Sequence, residues 1–131
     1  MAQWTVPLAD VVVSEEDIAA VADVYRSGWL SMGPQTEALE REFAAYVGVG
    51  HAVAVANGTA ALHLVCAAAG IGRGDEVVVP SMTFVATVNA ISYTGATPVF
   101  ADIVSLREPW LDPDAVEAAL TPRTKAIMAM T

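Results

Sequence analysis

Residues 57–59, Asn-Gly-Thr, are the part of the chain whose residue types best suit the binding of an anion. They follow an apolar run, residues 52–56, that predicts a strand buried on both faces. They precede an alanine-rich segment, residues 60–69, that predicts a buried helix. The first N–H groups of a helix lack intrahelical partners and lie at the positive end of its dipole, so this turn predicts a phosphate site. Gly58 would allow close approach, and Thr59 would add a hydroxyl donor. The alternative is a plain helix cap made by the polar side chains of the turn.

Three further apolar runs predict strands, and the segments between them have helical spacing. The predicted strands are residues 77–79, 98–101 and 126–130. The predicted helices are residues 84–93 and a helix that begins after a cap at Asp112 and ends near Leu120. Strands that alternate with helices are typical of βαβ units, so the sequence predicts an α/β fold with a mostly parallel sheet flanked by helices.

Ligands of such sheets bind beyond the carboxyl ends of the strands. That edge would carry the 57–59 turn, the Ser-Met-Thr-Phe segment at residues 81–84, and Asp102. A phosphate cradle, an aromatic ring and a carboxylate would therefore share one edge. Each has a structural alternative, because Phe84 can be a core residue instead of a stacking platform and Asp102 can cap a turn. The residues alone leave these alternatives open.

Three other residues have side chains that could take part in catalysis or metal binding, but we expect them to be structural or far from the predicted site. His63 lies one helical turn after Thr59 on an apolar helix, and we interpret it as a core histidine rather than a catalyst. Lys125, the only lysine of the sequence, stands at the entry of the last predicted strand, opposite the predicted site. Cys66 is the only cysteine, so the sequence contains no disulfide framework and no cysteine metal motif.

The N-terminal part predicts two helices joined by a loop. Ser14 and the three acids after it predict a helix start, and Gly28 predicts its end. The loop at residues 28–34 contains two glycines and a proline, yet it carries large apolar side chains. These would pack under the domain, or they would form a pocket rim or a subunit contact. A second helix is predicted at residues 34–47, with an apolar stripe formed by Leu39, Phe43 and Tyr46.

Composition excludes several classes of function. The chain has 131 residues, enough for one ordinary domain, and its 55% of hydrophobic residues can supply a core. A net charge of −9, with six Lys and Arg, argues against a nucleic-acid partner. No apolar run approaches the roughly 20 residues of a membrane-spanning helix, and the first ten residues lack a signal-peptide pattern. We therefore predict no membrane partner and a cytoplasmic location.

Three long stretches of the sequence, taken together, resemble one known family. They are GWLSMGPQTEALEREFAAYVG, VANGTAALHLVCAAAGIGRGDEVVVPSMTFVATVNAISYTGATPVFADI and LDPDAVEAALTPRTKAIMAM. From about Pro7 onward, the chain is similar to the start of the DegT/StrS-type sugar aminotransferases. The resemblance implies the large domain of the type I, aspartate aminotransferase-like fold, with pyridoxal 5′-phosphate (PLP) as cofactor. It also implies a homodimer that transfers an amino group from an amino acid, typically glutamate, to a keto sugar carried on a nucleotide, in polysaccharide biosynthesis.

The resemblance also assigns site residues position by position. The implied cofactor-binding residues are Gly58, Thr59, Ala60 and Phe84. The phosphate would be bound largely by backbone N–H groups, and Phe84 would stack on the pyridine ring. The implied substrate-side residues are Trp29, Ser31 and Gly33, in a loop that would reach a neighbouring subunit's site. Residues 1–33 would be an N-terminal helix and substrate-side loop, and residues 34–131 an incomplete PLP-binding α/β domain.

The resemblance places two essential residues beyond Thr131. One is the lysine that holds PLP as a Schiff base, and the other is the aspartate that pairs with the pyridine nitrogen. Lys125 matches a different family position. We therefore expect that this chain does not transaminate by itself, because PLP chemistry needs a lysine amine as anchor and proton carrier. In the type I sheet, the strand at residues 52–56 is separated from the other three by later strands, so bare strand edges and aggregation are expected.

Two alternative functions remain. The first is a PLP-dependent relative that dehydrates the sugar or has histidine in place of the lysine. The second is a non-catalytic, phosphate-binding α/β module. The module predicts a soluble and cooperatively folding protein, whereas a fragment of an enzyme should be insoluble or molten.

Overall fold

The computed structural model describes residues 11–129 of the chain. These residues form two compact units that divide between Ala54 and Val55. The first ten residues, in which no signal-peptide pattern was found, lie outside the described residues, as does Met130 at the end of the last predicted strand. The functional boundary expected after residue 33 stays a prediction.

The first unit contains two helices with the boundaries that the sequence predicts. Helix α1 spans Glu15–Ser27 and helix α2 spans Pro34–Val47. Ser14 forms a reciprocal capping box with Asp17, since its hydroxyl accepts the Asp17 N–H at 3.1 Å and the Asp17 carboxylate accepts the Ser14 N–H at 2.9 Å. Gly28 ends α1 with φ of +73°, a left-handed conformation that favours glycine.

The apolar stripe of α2 is present, but the described residues do not bury it. Leu39, Phe43 and Tyr46 are all exposed, and Ala44 is the only buried residue of the helix. The Glu40 carboxylate accepts the backbone N–H of Ala54 at 2.8 Å and so connects α2 to the end of the unit.

The strand predicted at residues 52–56 is wrong. The structure has no strand there, and Val53 is 74% exposed. A buried strand needs neighbours that satisfy its N–H and C=O groups, and within residues 11–129 no strand pairs with this segment. The apolar pattern therefore indicates that this segment could be buried, but residues 11–129 do not bury it.

The second unit is an α/β layer that confirms the predicted fold class. Its helices are α3 (Gly58–Ala68), α4 (Val85–Tyr93) and α5 (Pro113–Ala119), and its strands are β1 (Glu76–Pro80), β2 (Thr97–Ala101) and β3 (Thr124–Ile127). The sheet has the order β2-β1-β3, and both pairings are parallel. All five residues of the central strand are buried, as expected for an apolar strand of a parallel sheet.

Two predictions about these elements need correction. The last strand covers residues 124–127, earlier than the predicted 126–130, because its pairing with β1 begins at Thr124 opposite Glu76. Helix α3 was predicted to be buried, yet Cys66 is its only buried residue. Only one face of α3 has a partner, since it packs on α4 and contributes Cys66 to the core beneath the sheet.

Residues 103–111 form a short hairpin after β2. Ile103 and Leu111 pair in an antiparallel bridge, and the Val104 N–H donates to the Trp110 carbonyl at 3.0 Å. The N–H of Asp112 donates to the carbonyl of Asp102 at 3.0 Å, so the hairpin begins and ends beside the carboxyl end of β2.

Candidate functional site

The carboxyl ends of the three strands meet at one edge of the second unit. Pro80 lies opposite Ala101, and the Ser81 N–H continues this pairing by donating to the Ala101 carbonyl at 2.8 Å. On the other side of β1, the Met128 N–H donates to the Val78 carbonyl at 2.8 Å. The residues that follow β1 and β2 are therefore neighbours, as the sequence predicts.

Helices α3 and α4 begin at the same end of this unit. They pack against each other, and the residues that follow them are also in contact, since a β-carbon on Gly72 would lie 3.8 Å from the Thr94 carbonyl oxygen. Two packed helices whose carboxyl ends meet run in the same general direction. The 57–59 turn and Phe84 therefore lie at the edge to which the strands point.

The N-terminus of α3 combines a cap with free donors. The Asn57 side-chain oxygen accepts the Ala60 N–H at 2.9 Å, and the Asn57 carbonyl accepts the Ala61 N–H at 3.2 Å. The N–H groups of Gly58 and Thr59 have no acceptor among the described residues, and a β-carbon on Gly58 would meet nothing within 4 Å. The cap is thus made by Asn57 alone, and two donors at the positive end of the helix remain without a protein acceptor among the described residues.

Phe84 is the N-cap residue of α4, and the residue is 72% exposed. Its interpretation as a core residue is therefore wrong. An exposed aromatic ring beside an open helix N-terminus can stack on a planar ligand whose anionic group binds the helix.

Asp102 caps the turn after β2 and also makes a contact across the edge. Its Oδ1 accepts the Ile103 N–H at 2.9 Å and the Ser81 hydroxyl at 3.0 Å. Both side chains line a cavity of about 560 Å³ with the start of the 103–111 hairpin. Sequence reasoning missed the role of Ser81, although polar residues directly after two neighbouring parallel strands were the available signal.

Lys125 lies at the end of the sheet that the sequence predicts, whereas His63 is not one of the buried core residues. Lys125 is in β3 beside the pairing of Thr124 with Glu76, at the amino ends of the strands. His63 is partly buried and packs edge-to-face on Tyr93, with 5.6 Å between the ring centroids. Neither side chain belongs to the edge that carries Phe84.

The loop before α2 belongs to the first unit and has its own geometry. The Trp29 Nε1–H donates to the Met32 carbonyl at 2.9 Å. A β-carbon on Gly33 would lie 2.0 Å from Trp29 Nε1, so the indole lies directly against Gly33. Trp29, Ser31 and Gly33 line a cavity of about 600 Å³. Trp29 is exposed, so its packing under the domain is not observed.

No group of three or more His, Cys, Asp and Glu side chains that could hold a metal ion occurs within residues 11–129. The described helices are all too short or too polar to cross a membrane.

A family model matches residues 12–131, nearly the whole chain, and its description is the DegT/DnrJ/EryC1/StrS aminotransferase family. The chain belongs to this family. The spore coat polysaccharide biosynthesis protein SpsC of Bacillus subtilis (strain 168) is 51% identical over 122 residues, which are 93% of this chain and 31% of SpsC.

Two solved structures have the same fold as this chain. The PLP form of Spr1654 from Streptococcus pneumoniae, named as a sugar aminotransferase, matches with a TM-score of 0.88 and 37% identity over 95% of this chain and 31% of that chain. DesV of S. venezuelae matches with a TM-score of 0.81 and 49% identity over 87% of this chain and 30% of that chain. The chain thus spans about a third of the length of these relatives, and its α/β layer has the fold of PLP-dependent aminotransferases.

Proposed function

We propose that the whole protein is a cytoplasmic, homodimeric, PLP-dependent aminotransferase that transfers an amino group from glutamate to a nucleotide-linked keto sugar. The observation that carries this proposal is the pairing, at one edge, of an open helix N-terminus with an exposed aromatic ring in a DegT-family chain. SpsC is named as a polysaccharide biosynthesis protein and Spr1654 as a sugar aminotransferase, and both names support the choice of a sugar as acceptor.

The residues at this edge fit PLP in chemistry and in available space. The N–H groups of Gly58 and Thr59 would bind the phosphate, with the Thr59 hydroxyl as a third donor. The Ala60 N–H, also implied by the resemblance, is already bonded to Asn57 and would join only if that side chain turned away. Phe84 would cover one face of the ring. When bound, PLP supplies the electron sink and carries the amino group.

The position of Lys125 supports a proposal about the 131-residue chain alone. Lys125 lies opposite the first residues of β1, and about three residues of strand, each about 3.3 Å long, separate that level from Pro80. Its amine is therefore at the wrong end of the sheet to hold a cofactor beside Phe84. We propose that this chain, by itself, does not transaminate, and that Trp29, Ser31 and Gly33 contact the sugar substrate in the assembled dimer.

The test uses the full-length protein encoded by the natural gene. Its absorbance spectrum should contain a band at about 420 nm that borohydride abolishes, as expected for PLP linked to a lysine. Glutamate alone should remove this band and release 2-oxoglutarate in an amount equal to the bound cofactor.

Each other outcome identifies a different protein. Bound PLP that borohydride does not fix, with no 2-oxoglutarate released, would replace the aminotransferase by the dehydrating or histidine-containing relative. A full-length protein that binds no PLP would leave the non-catalytic phosphate-binding module.

A further inference from the structure

Phe84 is held by a short loop rather than by packing of its ring. Residues 81–84, here called the ring loop, connect the end of β1 to the start of α4. Phe84 occupies the N-cap position without a side-chain cap hydrogen bond, and most of its ring is exposed. The direction of the ring therefore depends on the conformation of the loop backbone.

The second half of the ring loop is attached to α4. The Thr83 hydroxyl donates to the Thr87 hydroxyl at 2.9 Å, and the Thr87 N–H donates to the Phe84 carbonyl at 3.0 Å. Thr87 is buried, so this attachment is to a fixed part of the unit.

The first half of the ring loop is attached to Asp102. The Ser81 hydroxyl donates to Asp102 Oδ1 at 3.0 Å, and residues 81 and 102 are 21 positions apart in the sequence. The same oxygen accepts the Ile103 N–H at 2.9 Å, and the Asp102 carbonyl accepts the Asp112 N–H at 3.0 Å. The 103–111 hairpin therefore holds Asp102 from both sides, and Asp102 in turn holds Ser81.

We propose that Asp102 and Ser81 are positioning residues that hold the ring loop so that Phe84 is ready to stack on the pyridine ring of PLP. This inference rests on the proposed function. Neither residue needs to contact the cofactor, because the carboxylate acts on the Ser81 hydroxyl and the loop transmits the effect to Phe84. A loop that is already in its binding conformation loses less conformational freedom when the ligand binds, so the affinity is higher.

The test measures the equilibrium binding of PLP to the full-length protein after the cofactor has been removed. Ser81→Ala and Asp102→Ala should each weaken binding about 3- to 10-fold, as expected for the loss of one exposed hydrogen bond of ordinary strength. Asp102→Asn keeps an oxygen acceptor at the same position and should restore binding to within about twofold. Ser92→Ala is the matched control, because among residues 11–129 its hydroxyl donates a hydrogen bond to the Val88 carbonyl on α4 alone, and it should not change the affinity.

Coupling to Phe84 separates positioning from a general structural effect. In a Phe84→Ala background, Ser81→Ala and Asp102→Ala should cause no further loss of affinity, because the ring that they position is gone. A second measurement needs no cofactor: the amide hydrogens of the ring loop should exchange faster in both alanine variants and at the wild-type rate in Asp102→Asn.

Equal losses with and without Phe84, or unchanged affinity, would overturn the inference while leaving the proposed function intact. A wild-type protein that binds no PLP would overturn both. If Asp102→Ala does not fold, Ser81→Ala decides the question, since it removes one oxygen atom from an exposed side chain.

Discussion

Glu76 is a buried carboxylate that three hydrogen-bond donors surround. It lies at the amino end of β1, 5% exposed. The Thr121 hydroxyl donates to one of its oxygens, and the Arg123 guanidinium donates to the other through Nε, at 2.9 Å, and through Nη2. These hydrogen bonds, first from Thr121 and then from Arg123, hold the pKa of Glu76 below its usual value.

This lowered pKa predicts a loss of stability in acid. Because the unfolded chain binds the proton at a higher pH, the contribution of Glu76 is present above about pH 4.5 and is lost as the pH falls through the pKa of the folded state. Denaturation from pH 7 to pH 3 should show the full-length protein more stable than its Glu76→Gln variant at pH 7, with the difference shrinking below pH 4.5. Glu117→Gln, at an exposed position on α5, is the control. A constant difference across the range would contradict the assignment.

A second single-residue effect concerns Gly33, whose α-carbon lies against the Trp29 indole. Gly33→Ala should destabilise the protein by about 0.5–1.5 kcal/mol, because the new methyl group forces the exposed indole away from the Met32 carbonyl and so breaks one hydrogen bond. Thermal unfolding and the tryptophan emission spectrum measure the two parts of this effect. Gly50→Ala is the matched control, since a β-carbon there would meet nothing within 4 Å. Equal changes in both variants would show that the indole contact has no energetic role.

At the scale of elements, the start of α3 has two functions that one substitution can separate. Asn57 caps the helix through its side-chain oxygen, while the N–H groups of Gly58 and Thr59 remain for a ligand. A carboxylate caps as well as an amide does, but it adds a negative charge where a phosphate would bind.

Asn57→Asp should therefore lower the affinity for PLP without lowering the stability of the cofactor-free protein. The thermal stability of the cofactor-free protein should stay equal or rise, because Ala60 keeps its acceptor and the charge favours the helix dipole. PLP affinity should fall about tenfold or more at low salt through charge repulsion, and the loss should shrink as salt is added. An unchanged PLP affinity would contradict the proposal that the phosphate binds at this helix terminus.

Local signals predicted most of the elements. Helix boundaries are marked by residues that act over only a few positions, and the structure confirms the predicted boundaries within one residue. These residues are Ser14 with Asp17, Gly28, Pro34 and Asp112. The prediction of a strand at residues 52–56 was wrong because an apolar run indicates that a segment can be buried, but it does not indicate which strand will pair with it. The Ser81–Asp102 hydrogen bond was missed for a related reason, since its partners are 21 residues apart. The parallel topology predicts that the residues after β1 and β2, Phe84 and Asp102 among them, share one edge. The 57–59 turn was expected there from a strand that the structure lacks, and it reaches this edge through the packing of α3 on α4 instead.

At the scale of the whole chain, large apolar side chains remain exposed on both units. Those at least half exposed include Leu39, Phe43, Val53, Val65, Met82 and Leu106. Large exposed apolar surfaces on a soluble protein are typical of regions that another part of the protein, or a partner, covers.

The isolated 131-residue chain should therefore bind the dye ANS strongly and self-associate, whereas the full-length protein should do neither. Dye fluorescence and light scattering after size-exclusion chromatography measure the two properties. A monodisperse 131-residue chain with cooperative unfolding and no dye binding would instead favour the phosphate-binding module.

The strand order β2-β1-β3 also determines when each partner strand of β1 becomes available during synthesis on the ribosome. β2 follows β1 closely, but Arg123 is 47 residues beyond Glu76. At about 5–20 residues per second, about 2–9 s pass between the translation of these two residues. During that interval the β3 side of β1 has no partner strand and Glu76 has no counter-ion. A nascent chain stalled before Thr121 should therefore be a substrate for ribosome-associated chaperones, and one stalled well beyond β3 should have lost that binding site.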